Sequence, residues 1–248
     1  MFAAILTIIE VAGLIIVFGA GVSVEATAFA PPSGDLAPAL AAGGLLAFFA
    51  FVGFEDMVNM AEETKTPEKT MPRAILLAVT ATTLIYVLVA YAALNAVDAS
   101  DLAASDRPLA LVFETATGRG AGFLALIAVA AALNGILAQI VMAARVLFGL
   151  GRIAKPFAIF HKAHPRFGTP VLATVLAMTA AVILALTAPI AALAEATSSL
   201  LLFVFVIVNG ALIILKLRDP VSPGFRAPWA APVLGVAFSA AALIAPLL

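Results

Sequence analysis

Residues 41–73 read AAGGLLAFFAFVGFEDMVNMAEETKTPEKTMPR: an apolar run reaches Gly53 before it is long enough to cross a bilayer, then carries Glu55, Asp56 and Asn59. A glycine at such a point breaks the helical ladder and leaves main-chain N–H and C=O groups without partners. Hydrocarbon holds no water to satisfy them, so the break is tolerated only where it lines a cavity or is buried in protein. The chemistry on offer is recognition rather than bond making. The N–H groups that open the second half-helix carry partial positive charge and favour a carboxylate. The carbonyls from Phe49 to Val52 accept from a cation or an ammonium group. One interruption thus serves both ends of a zwitterion. The competing reading is structural: Gly53 lets two helices approach closely, and the acids beyond it, Glu62 and Glu63 included, belong to an early exit from the membrane.

Other polar groups in apolar surroundings are few. Glu10 interrupts ILTIIEVAGLIIVFGAG, where an acid costs about 2.5–3.5 kcal/mol on insertion scales. It must face other helices or water, or stay protonated and hydrogen-bonded to a neighbouring helix. Asn134, followed by Gly135, falls near the middle of GFLALIAVAAALNGILAQIVMAARVLFGLGR, with Gln139 about one turn on. Glu10 and Asn134 are the candidates for handling a coupling ion; the commoner use of such an amide is an interhelical hydrogen bond. Glu195 opens an apolar segment, where the dipole of a first helical turn stabilises a carboxylate. His161 and His164 stand among Lys155, Lys162 and Arg166 with no third ligand nearby, which reads as a solvated basic loop and not a metal site.

The chain of 248 residues is 64% hydrophobic and 11% charged, with a mean hydropathy of +1.18. Such a composition reads as an all-α integral membrane protein. Zero cysteines exclude disulfides and a cysteine nucleophile, and a net charge of -1 offers no nucleic-acid surface. HExxH and GxSxG are absent from the sequence, so an enzyme is not expected and no cofactor is implied.

Seven apolar segments approach spanning length: about 2–22, 39–60, 73–94, 120–147, 170–186, 191–217 and 227–247. At about 1.5 Å per residue, roughly 20 residues cross the hydrocarbon, and the fifth segment is the marginal one. Prolines 67 and 72 stop the second span and start the third, Pro31, Pro32 and Gly34 mark a short external loop, and LALVFETATG predicts a short helix outside the membrane. Of 13 basic residues, all but Arg107 and Arg119 fall at the exits of the second, fourth and sixth spans or just after them. The positive-inside rule then puts the N-terminus in the cytoplasm and the C-terminus outside. Residues 1–248 read as one transmembrane domain. A discontinuous helix at mid-depth is where secondary transporters bind their cargo.

With these residues in view, FFAFVGFEDMVNMAEETKTPEKTMPRAI resembles the sixth helix and following loop of amino acid permeases of the amino acid, polyamine and organocation superfamily. AARVLFGLGRIAKPFAIFHKAHPRFGTP is similar to the family's eighth helix and loop, FRAPWAAPVLG to the entry of its eleventh, and ILTIIEVAGLIIVFGAG to its fifth. The resemblance implies that the seven segments correspond to family helices five to eleven. It implies a five-plus-five inverted-repeat fold, here lacking the first four helices and the twelfth. It further implies that the backbone around Phe49, Ala50 and Val52 meets a substrate amino group beside Gly53, with Phe54 closing over it. Glu10 stands where some relatives carry a lysine next to a sodium position, so the coupling ion is a proton or sodium.

Two readings of function follow. In one, the chain is a fragment of a secondary active, proton- or cation-coupled amino acid permease of the plasma membrane. It then works with helices one to four, which a separate chain can supply, and Phe49, Phe51 and Phe54 favour a neutral substrate. In the other, it is a truncated membrane protein that does not transport and serves as a structural or interaction subunit.

Overall fold

A computed structural model describes residues 2–25, 36–166, 168–218 and 226–245, and every regular element among them is helical. In chain order these are α1 (Phe2–Gly21), α2 (Leu36–Phe49), a 3-10 helix (Glu55–Glu63), α3 (Pro67–Ala96), α4 (Ala99–Ala104) and α5 (Pro108–Thr117). Then follow α6 (Gly122–Ile153), a second 3-10 helix (Lys155–Phe160), α7 (Val171–Thr187), α8 (Ile190–Arg218) and α9 (Ala230–Ile244). Four of them, α1, α3, α6 and α8, are long and apolar enough to cross a membrane; α7 and α9 are shorter apolar helices. The external loop expected around Pro31, Pro32 and Gly34 lies outside the described residues.

Two boundaries differ from the sequence reading. Pro67 alone starts α3, and Pro72 sits inside it; at the sixth residue a proline forfeits one early ladder bond and the helix continues. Glu195 is not in a first turn, because α8 begins at Ile190 behind Pro189, whose carbonyl accepts the Leu193 N–H at 3.1 Å. Glu195 is exposed on the next turn.

The helices fall into two compact units, Met1–Pro31 with Thr80–Thr179, and Pro32–Val79 with Ala180–Leu248. In the first, α1 packs on α5 and α6 around Val17, Val112, Ala121 and Leu124. Gly21 permits the close approach of α3: a Cβ there would lie 2.5 Å from the Ala92 carbonyl oxygen. The Asn95 amide then donates to the carbonyls of Gly21 (2.9 Å) and Val24 (3.3 Å), satisfying oxygens that the end of α1 leaves over. The short helix expected at LALVFETATG is α5. It ends on Gly118 in the left-handed conformation, and its Glu114 accepts from the Ala121 N–H at the start of α6. The 3-10 helix 155–160 folds back on the end of α6 over Gly151, where a Cβ would lie 2.7 Å from the Phe157 carbonyl and the His161 nitrogen.

In the second unit α8 is the central element, with α2 and α9 against it. Gly235 of α9 leaves room for the Asn209 side chain, which donates to the Phe205 carbonyl of its own helix. The fully buried Ser198 hydroxyl donates to the Leu45 carbonyl of α2 at 3.0 Å.

Candidate functional site

The interruption expected at Gly53 is present. α2 ends at Phe49, residues 50–54 form irregular turns, and a 3-10 helix begins at Glu55. Gly53 has φ +120°, a value that L side chains rarely adopt. Among the described residues no heavy atom beyond its chain neighbours lies within 4 Å of where its Cβ would be, so none of them packs against it closely enough to require a glycine. The backbone conformation itself requires it.

The main-chain bonds account for most of the turn. The N–H groups of Phe51 and Val52 donate to the carbonyls of Phe48 and Phe49, at 2.9 and 3.1 Å, and those of Asp56 and Met57 donate to Gly53 and Phe54. The Gly53 N–H is taken by the carboxylate of Glu55 at 2.9 Å. Among the described residues no acceptor meets the N–H of Phe54 or Glu55, and no donor meets the Val52 carbonyl. The free N-terminus expected after the break is therefore partly closed by the protein's own carboxylate. What remains open is a pair of donors and an acceptor two residues apart in sequence, suited to a carboxylate and an ammonium group.

Phe205 of α8 props the break from one side. Its ring meets Phe48 edge-on at 5.9 Å and Phe54 at 5.8 Å, so one side chain touches both arms of the interrupted helix. Phe54, Val52 and Gly53 are half-buried, whereas Phe49 and Ala50 are exposed. Neither Phe205 nor Ser198 carries a local signal of these roles; each acts through a helix far away in sequence.

The other two candidate residues lie in the first unit and meet each other. The Asn134 amide on α6 donates to the Glu10 carboxyl on α1 at 3.3 Å. Both are half-buried, and Gly13, one turn from Glu10, seats against Ile127 of α6 with a would-be Cβ at 3.2 Å. Glu10 also borders a cavity of about 650 Å³ between α1, α5 and α6, which is otherwise lined mainly by apolar side chains and reaches Arg107.

These elements define a multi-pass helical membrane protein with an interrupted apolar helix among the described residues. The chain matches the family model described as amino acid permease over residues 1–248. It is 30% identical over 194 residues to the branched-chain amino acid permease BcaP of Bacillus subtilis (strain 168), a match that covers 77% of this chain and 42% of that protein. It is 30% identical over 191 residues to the methylthioribose transporter of the same organism, covering 73% and 40%. With the human cationic amino acid transporter 4 it shares 28% identity over 187 residues, covering 74% and 29%. The chain belongs to the amino acid permease family, within the amino acid, polyamine and organocation superfamily. It spans about two-fifths of the length of the two bacterial relatives.

Proposed function

We propose that the chain is part of a secondary active amino acid permease and that its substrate binds at the interruption between α2 and the following 3-10 helix. The observation that carries this reading is a glycine held at φ +120° beside the Val52 carbonyl and the Phe54 and Glu55 N–H groups, none of which meets a partner among the described residues. The backbone at Phe49, Ala50 and Val52 receives the substrate ammonium group, the amides after Gly53 receive its carboxylate, and Phe54 closes over the side chain. The apolar rings of Phe49, Phe51 and Phe54 favour a neutral side chain, in keeping with a relative named as a branched-chain amino acid permease. The hydrogen-bonded pair Glu10 and Asn134 handles the coupling ion, a proton or sodium.

In the bilayer the chain forms one domain of seven spans, equivalent to helices five to eleven of the family. The short helices α7 and α9 and the broken α2 segment cross along with the four long ones. The basic connections face the cytoplasm of a plasma-membrane protein, with the C-terminus on the far side. Helices one to four of the fold lie outside these 248 residues, and a separate polypeptide can supply them. A second reading, a non-transporting membrane subunit, draws on the extent of the match, 42% of BcaP.

Uptake of labelled leucine into proteoliposomes separates the two. The chain reconstituted with an N-terminal permease half supplying helices one to four is expected to show saturable uptake that the chain alone does not. Absence of uptake in the paired preparation would favour the subunit reading, and saturable uptake by the chain alone would overturn the need for a second polypeptide.

A further inference from the structure

The connection between α6 and α7 carries a second feature, independent of whether the chain transports. No aspartate or glutamate occurs between Glu114 and Glu195, while Arg145, Arg152, Lys155, Lys162 and Arg166 crowd the end of α6 and the residues after it. An α-helix of 32 residues is about 48 Å long and overshoots a hydrocarbon core of about 30 Å, and the basic residues favour placing the overshoot, at headgroup depth, at this end. There the turn 162–165 and the first turns of α7 line an open cavity of about 700 Å³. Lys162 and His164 stand on one side of it, and Val171, Leu172 and Val175 on the other.

The polar side is pre-shaped. The His164 N–H donates to the Thr169 carbonyl and the Gly168 N–H to the His164 carbonyl, both at 2.8 Å, closing the turn. The Arg166 N–H donates to His164 Nδ1 at 3.2 Å, which holds the ring in place within the turn. No partner for the Lys162 ammonium occurs among the described residues. The apolar side continues away from the basic end: Val171, Val175 and Met178 are all exposed and follow one face of α7 for roughly 10 Å.

We infer that this cavity binds an anionic phospholipid, its phosphate held by Lys162 and His164 and an acyl chain laid along Val171, Val175 and Met178. A basic rim joined to an apolar track at headgroup depth matches both halves of such a lipid, whereas inorganic phosphate engages only the rim. A zwitterionic lipid offers the same chain but gains less from a rim with no acid near it.

Native mass spectrometry of the purified chain, offered phosphatidylglycerol, phosphatidylcholine or inorganic phosphate, tests the assignment. Phosphatidylglycerol is expected to be retained in preference to phosphatidylcholine, with no competition from millimolar phosphate. Lys162→Gln should weaken retention about fivefold, as expected for one basic group near the surface, and Val175→Asp should weaken it by removing the track. Arg119→Gln, in the connection between α5 and α6, should leave it unchanged, and far-UV circular dichroism checks that the variants keep their helix content. Equal retention of the two lipids, displacement by phosphate, or full retention by a folded Lys162→Gln variant would each overturn the proposal.

Discussion

At Gly53 the chain is held at φ +120° with open space where a side chain would begin. The cost of substitution there is torsional, about 1–3 kcal/mol, and nearly independent of side-chain size. Gly53→Ala is therefore expected to reduce leucine uptake by the paired preparation almost as severely as Gly53→Leu, with membrane insertion preserved. Near-normal uptake by the alanine variant beside a dead leucine variant would return Gly53 to a packing role. The interruption was legible because a glycine and acids inside an apolar run are a local signal. The Glu55 carboxylate on the Gly53 N–H was not, since a glutamate two residues on can equally face water. Glu10 and Asn134 were each legible as expensive groups in hydrocarbon; their pairing, across 124 residues of sequence, was not. Composition shows that a polar group needs a partner without showing which helix supplies it.

Among the elements, contacts between helices rest on small residues at specific crossings, and the crossings differ in what they can absorb. A Cβ on Gly21 would meet the Ala92 carbonyl, which is main chain and cannot swing aside; on Gly235 it would meet the end of the Asn209 side chain, which can. Gly21→Ala is thus expected to cost about 1–3 kcal/mol and Gly235→Ala less, as measured by denaturant titration in micelles. The reverse order would mean that the α1–α3 contact is looser than described. The long apolar helices α1, α6 and α8 were legible within a few residues at most ends, because twenty apolar residues in a row leave little choice of structure. Helix ends set by long-range bonds were not. Asn95, which serves the end of α1, sits in what reads as the start of a connection, and Phe205 reads as one more apolar residue of its span. The 3-10 form of the segment after the break was also unforeseen. A run with Glu55, Asp56, Glu62 and Glu63 over nine residues signals polarity and does not by itself distinguish a 3-10 from an α-helix.

For the whole molecule, the alternation of basic connections predicts a topology that the sequence is well suited to test, since it contains no cysteine. Lys65→Cys and Lys155→Cys are expected to react with an impermeant maleimide only from the cytoplasmic face, and Asp101→Cys only from the opposite face. Labelling of all three from one side would remove the seven-span arrangement. The central claim is narrower: an apolar helix stops inside the membrane and leaves main-chain groups for a substrate to satisfy. Hydrogen–deuterium exchange of the chain in lipid nanodiscs, resolved along residues 45–57, tests it most directly. Slow exchange is expected at Leu45–Phe49 and fast exchange at Phe54 and Glu55, whose amides have no acceptor among the described residues. Uniformly slow exchange through position 53 and onward would contradict it.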